Sequence, residues 1–162
     1  MALSADPPPP VSAPLSPEAG ATSLYQEIIL SHYRAPKHKG VLDGAATAIE
    51  HRNPLCGDVL AVQLVLHDGR VENGAFTARA CSITQATASM LLDRMIGGSV
   101  EDARATVAHV ERLLEASAPP SAAGGEDLGD LRALASVSRF PARKACVRLV
   151  LAAVREALDG AA

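Results

Sequence analysis

The spacing of hydrophobic positions changes twice along the chain, from helical to extended and back. In the stretch 24–34, Leu24, Ile28 and His32 share one helical face, and Tyr25, Ile29 and Tyr33 share the next. Ser23 followed by Gln26 has the pattern of a capping box, so order is expected to begin near Thr22. The helix should stop before Pro36, and residues 36–44 read as a loop. Beyond that loop the period becomes two. Residues 45–53, 59–69 and 70–80 read as strands. In the second of them Leu60, Val62, Leu64 and Leu66 alternate with Ala61, Gln63, Val65 and His67. Asp68-Gly69 predicts a tight hairpin between the second and third strands. Asn53-Pro54 with Cys56-Gly57-Asp58 predicts a turn between the first and second. From Ser82 the helical period returns, small and apolar on one side, until Gly97-Gly98. Ser99 with Asp102 caps a further run to Ala116. Residues 117–126 read as a flexible loop and 127–137 as a short helix or turn. Pro141 suits the first turn of a final helix ending near Leu158. A helix, three strands and then helices predict an α+β domain over residues 22–160, a three-stranded antiparallel sheet with helices packed on one face.

Composition narrows the function classes. The 162 residues are 48% hydrophobic, enough for one domain with a real core. The formal net charge of −3 lacks the basic excess of a nucleic-acid binder. Tyr25, Tyr33, Phe76 and Phe140 are the whole aromatic set, too few for a base-stacking platform. No apolar run reaches the roughly 18 residues of a membrane span, so no membrane partner is expected. There is no phosphate-binding glycine fingerprint. Six of the eleven prolines lie in residues 1–17, and residues 1–20 read as a disordered Pro/Ala/Ser-rich tail. That opening has neither a basic n-region nor an apolar h-region, so no signal peptide is expected.

Three cysteines, Cys56, Cys81 and Cys146, are a poor disulfide framework and point to a reducing cytoplasm. Each falls at or near the end of an element. Cys56 sits in a glycine-containing turn two residues before Asp58. Cys81 lies where the third strand meets a helix, facing that helix's partially positive end. Cys146 lies in the first turns of the last helix, beside Arg143 and Lys144. Three thiolates and the Asp58 carboxylate would complete a tetrahedral Zn²⁺ site. The same thiolates would also hold an iron–sulfur cluster, with Asp58 as an oxygen ligand. A hard oxygen among soft sulfurs is a natural point of ligand exchange. With no CxxC pair, the spacing fits equally three cysteines buried as small hydrophobes.

The segments LYQEIILSHYRAPKHKG (24–40), NPLCGD (53–58), ACSITQATASMLLDRM (80–95), LGDL (128–131) and FPARKACV (140–147) together resemble the U-type iron–sulfur cluster assembly family. The resemblance spans about residues 23–158, and is closest to its SufU branch of zinc-containing sulfur acceptors. It implies that Cys56, Asp58, Cys81 and Cys146 hold one Zn²⁺. It implies that Cys56 also accepts persulfide sulfur from a cysteine desulfurase, a sulfurtransferase role, and that Arg143 stands next to the metal. The IscU-like scaffold branch carries a histidine before its last cysteine and a Leu-Pro-Pro-Val-Lys motif. Here that neighbour is Ala145 and the upstream block is Phe140-Pro141-Ala142-Arg143. The stretch 117–139 is similar to the extra segment of the SufU branch. Ala80 stands where the family usually has glycine, which is expected to restrict the turn before Cys81. The alternatives are a scaffold carrying a transient [2Fe–2S] cluster for a downstream acceptor, and a zinc domain with only a folding role.

The remaining polar residues read blandly. His32, His38, His51, His67 and His109 have no ligand-type spacing, though His32 and His38 could touch a partner. Arg34, Lys37 and Lys39 read as a solvated loop, Met90 and Met95 as core fillers, and Ser82 and Thr84 as helix-capping groups.

Overall fold

Pro17 opens the first helix of the computed structural model, five residues before the expected start at Thr22. Its fixed φ and missing N–H suit the first helical position, so α1 (Pro17–Arg34) runs straight through the Ser23/Gln26 pattern. The structure describes residues 17–44, 47–115 and 128–160. Residues 17–20 of the expected disordered tail 1–20 belong to α1 instead, while its residues 1–16 and the expected loop 117–126 lie outside the described residues.

Three strands follow, β1 (Ile49–Arg52), β2 (Val59–His67) and β3 (Arg70–Arg79), in the antiparallel order β1-β2-β3. Ile49 pairs with Val62, and Val62 with Phe76 across the other side. Asp68 and Gly69 take φ of 49° and 70°, the left-handed pair that a two-residue hairpin requires. Leu60, Val62 and Leu64 alternate into the core as expected, and Leu66 packs half-buried against its edge. The ladder shifts register between Val65 and Leu66, where β3 carries one extra residue, Glu72, opposite β2. The expected loop at 36–44 does more than connect. Gly40 donates its N–H to the Phe76 carbonyl at 2.8 Å, and Phe76 donates to the His38 carbonyl at 3.0 Å. This short parallel bridge covers the open edge of β3, where unpaired backbone groups would otherwise face water.

The helices α2 (Ser82–Met95), α3 (Val100–Glu115) and α4 (Pro141–Gly160) complete the fold with a 3-10 segment over Gly129–Val137. Helix α4 lies across β1 and β2, α2 lies against β3 and α1, and α3 meets α4 and the 3-10 segment. Phe76, Leu60, Leu91, Leu92, Leu131, Leu134 and Leu151 are fully buried at their junction. Ser99 accepts the Asp102 N–H at 3.0 Å and caps α3 as expected. No described helix is long and apolar enough to cross a membrane.

Helix α2 departs from the expected one-sided pattern. Every residue from Thr84 to Leu92 is buried, because α2 is enclosed by its neighbours on all sides. Small residues (Ala86, Thr87, Ala88, Ser89) let those neighbours approach. Its polar side chains are matched one by one. Thr87 donates to the Ile83 carbonyl at 2.7 Å, and Gln85 donates to the Ala80 carbonyl at 2.8 Å while accepting from Lys39 Nζ at 2.7 Å. No buried side-chain nitrogen or oxygen among the described residues lacks a partner.

His32 is the junction between α1, α2 and the 3-10 segment. Its Nδ1 lies 2.8 Å from Ser89 Oγ, and its Nε2 lies 2.8 Å from Asp130 Oδ2. Ser89 also accepts the Lys37 N–H at 2.8 Å. His32 is therefore a buried structural link. Substituting it by alanine leaves the enclosed Ser89 hydroxyl short of a partner and is expected to cost about 1–3 kcal/mol. Urea denaturation of His32→Ala against the wild type measures this, and an unchanged midpoint would refute it.

Candidate metal centre

The turn between β1 and β2 is closed by its own backbone. Asn53 donates to the Asp58 carbonyl at 2.8 Å, Gly57 donates to the Asn53 carbonyl at 2.9 Å, and the Asn53 side chain accepts the Leu55 N–H at 3.0 Å. Gly57, at φ 74°, supplies the left-handed step that turns the chain between Cys56 and Asp58. The result is one exposed thiol, Cys56, and one buried carboxylate, Asp58, from a single turn.

Cys81 is the N-cap residue of α2, with extended backbone at φ −66° and ψ 168°. Its N–H donates to Asp58 Oδ1 at 3.2 Å. Cys146, in the second turn of α4, is buried and places Sγ 3.4 Å from Cys81 Sγ. Three distant parts of the chain therefore meet. The ligand atoms of Cys56, Asp58 and Cys146 all lie within 4.8 Å of one another, and Cys81 joins them through Cys146. Burial, reinforced by the neighbouring Cys81, pushes the Cys146 thiol from its ordinary 9.0 up to about 12.

Thr84 is the participant that the sequence did not disclose. It does not cap α2. Its fully buried hydroxyl donates to Asp58 Oδ2 at 2.8 Å and lies 3.5 Å from Cys81 Sγ. A hydroxyl three residues after a helix-capping cysteine was the available signal, but the same spacing also suits an ordinary cap. Ala80 does not occupy the left-handed region, which among non-glycine described residues is confined to His38 and Asp68. The expected restriction at Ala80 thus produces no backbone strain.

Arg143 is exposed, and its guanidinium lies 4.9 Å from the centre of the Phe140 ring, a cation–π contact at the head of α4. Phe140 and Leu55 are both exposed, Leu55 at 92%, next to the elements that carry Cys146 and Cys56. Several charged groups elsewhere have structural partners. Lys37 reaches Asp93 at 3.1 Å and His38 reaches it at 3.4 Å. Burial raises the Asp93 carboxyl, but its hydrogen bonds and charge attraction to Lys37 and His38 outweigh that and hold it below the usual 3.8. His51 bonds Glu156 at 2.6 Å and His67 faces Asp68 at 3.4 Å.

The donors fit a metal. Three sulfurs and one carboxylate are a four-coordinate Zn²⁺ donor set; three of these donors, from Cys56, Asp58 and Cys146, lie within 4.8 Å of one another, and Cys81 Sγ stands 3.4 Å from Cys146 Sγ. A dication also reverses the charge problem of two thiols crowded beside a carboxylate, because coordinated thiols are deprotonated outright.

The chain is similar to known proteins over most of its length. The chain is 33% identical over 139 residues to the iron–sulfur cluster assembly scaffold protein IscU of Streptococcus pyogenes, covering 86% of this chain and 85% of that protein. It is 33% identical over 135 residues to the zinc-dependent sulfurtransferase SufU of Bacillus subtilis, covering 83% and 89%. The crystal structure of a nitrogen-fixing NifU-like protein (N-terminal) from Brucella abortus superimposes with a TM-score of 0.74 at 25% identity, covering 85% and 93%. The family model for the NifU-like N terminal domain matches residues 24–147, the span that contains every candidate ligand. With this match, these relatives and the shared α+β architecture, the chain belongs to the NifU-like N-terminal domain family, to which the IscU and SufU proteins are related.

Proposed function

We propose that this chain works in iron–sulfur cluster assembly by accepting persulfide sulfur from a cysteine desulfurase on Cys56 and relaying it. Cys56, Asp58, Cys81 and Cys146 would hold Zn²⁺, which when bound keeps thiolates ionised at neutral pH. The observation that carries the reading is an asymmetry between the two exposed thiols: Cys81 Sγ lies 3.4 Å from the buried Cys146 Sγ and 3.5 Å from the Thr84 hydroxyl, whereas Cys56 is presented on the turn that also carries the buried Asp58. A partner's persulfide reaches the Cys56 sulfur, while Asp58, Cys81 and Cys146 hold the site together. Leu55, the residue before Cys56, and the Phe140–Arg143 pair, shortly before Cys146 in sequence, supply exposed apolar and cationic surface for such a partner. The proposed compartment is the cytoplasm, where three thiols stay reduced.

The transfer is an exchange. The Cys56 thiolate attacks the outer sulfur of the desulfurase persulfide. The enzyme's S–S bond breaks, its cysteine leaves as a thiolate, and the persulfide now sits on Cys56. No net oxidation occurs. A second exchange passes the sulfur to a downstream scaffold or apo-acceptor, and release as sulfide needs a two-electron reductant.

Metal and acid-labile sulfide content of anaerobically purified protein tests this. About one zinc per chain without sulfide is expected, together with faster desulfurase turnover when the protein is added. Iron with matching sulfide would overturn the relay in favour of a [2Fe–2S] scaffold. That second reading is favoured by the resemblance to the streptococcal IscU, which equals the resemblance to SufU in identity. Zinc whose removal unfolds the chain, with no effect on the desulfurase, would leave a structural zinc domain.

A further inference from the structure

The buried hydroxyl of Thr84 has one proton and two neighbours that can accept it, Asp58 Oδ2 at 2.8 Å and Cys81 Sγ at 3.5 Å. The shorter, charge-assisted bond to the carboxylate takes it, leaving the hydroxyl lone pairs toward the thiol. The other carboxylate oxygen, Oδ1, is held by the Cys81 N–H at 3.2 Å. Asp58 thus has one donor on each oxygen. A carboxylate has about four acceptor positions, so both oxygens keep capacity for a cation while their orientation is fixed. Both holding groups come from the first turn of α2, so the carboxylate is referenced to the same element as Cys81.

Resting on the metal centre proposed above, we infer that Thr84 is a positioning residue: its hydroxyl holds the Asp58 carboxylate in place as a ligand and so sets how readily the metal is released. The softness mismatch makes Asp58 the exchangeable member of the ligand set. Its residence at the metal then depends on the hydrogen bond that orients it, the role outer-shell partners play at metal sites, where their loss costs about 10–100-fold in affinity.

The test compares full-length wild type, Thr84→Val and Thr84→Ser, each loaded with Zn²⁺, by the rate of zinc release to a chromophoric chelator. Release from Thr84→Val is expected to be about tenfold faster or more, and Thr84→Ser, which keeps the hydroxyl, should stay close to the wild-type rate. In the Co²⁺-loaded proteins the ligand-field absorption should shift in Thr84→Val and be restored in Thr84→Ser. A purely packing role would change unfolding midpoints without moving either readout. If Thr84→Val does not fold, Thr84→Ala removes the same hydroxyl and is read in the same way. Wild-type release and an unchanged Co²⁺ spectrum in the hydroxyl-free variant would overturn the inference while leaving the metal centre intact. Failure of the wild type to bind one equivalent of zinc would overturn the metal centre itself, and the inference with it.

Discussion

Cys56→Ala is expected to abolish sulfur acceptance while leaving the fold in place. With a cysteine desulfurase and cysteine, the wild-type chain should gain a single sulfane sulfur, and the variant none. Desulfurase turnover in the presence of the variant should fall to the rate without any acceptor. The physical reason is the separation of roles within the site. Cys56 is exposed in a turn whose backbone bonds come from Asn53, Gly57 and the Asp58 carbonyl, none of which needs its sulfur. In the metal-free chain its removal should therefore change stability by no more than about 0.5 kcal/mol, as for other surface substitutions, while in the zinc-loaded chain it also removes a proposed ligand and weakens zinc binding. Mass spectrometry of the chain after incubation, with thermal unfolding as the control, checks both halves. Full stimulation by the variant would remove Cys56 as the acceptor.

Cys146→Ala is expected to strike the metal without removing the accepting thiol. Total binding free energies at structural zinc sites are on the order of 10–16 kcal/mol, so losing one of four ligands costs roughly 3–4 kcal/mol, about 10²–10³-fold in affinity. Competition with a zinc chelator measures it. The pH dependence follows from the same residue. In the metal-free chain the Cys146 thiol is pushed up to about 12 by its burial and by Cys81. Between its ordinary 9.0 and that value the folded chain keeps a proton that the unfolded chain gives up. The stability associated with Cys146 is thus fully present below pH 9 and is lost as pH rises toward 12. Urea unfolding of metal-free wild type and Cys146→Ala across this window should show the wild type losing more stability. Metal binding has the reverse sign. It must displace the Cys146 proton, so zinc affinity should fall as pH falls, by about tenfold per pH unit for each proton released.

Much of this architecture was legible before any coordinates. The alternation in β2, the Asp68-Gly69 hairpin, the Ser99 cap and Pro141 at the head of α4 are local signals, each set by a few neighbouring residues. Their failures have a common cause. Leu66 is only half-buried against the core, next to a register shift whose extra residue, Glu72, lies on β3, and pairing with another strand is not written in β2 alone. Helix α2 reads as amphipathic because small residues dominate one side, yet it is buried all round because other elements surround it. His32 shares a face with apolar neighbours and carries no ligand spacing, but only its meeting with Ser89 and Asp130 shows that it ties three elements together.

The site divides along the same line. By itself the sequence determined the candidate ligand types, their placement at element ends, the turn that couples Cys56 to Asp58, and the likeness to a family of iron–sulfur assembly proteins. Only the tertiary structure decided that Cys81 and Cys146, 65 positions apart, stand 3.4 Å from each other. It also decided that Cys56 faces solvent while Cys146 does not, and that Thr84 serves Asp58 rather than the helix end. Backbone propensity and period act over a few residues and can be read along the chain. Burial and side-chain hydrogen bonds depend on which distant surfaces close over one another, so they exist only once the helices have docked on the sheet.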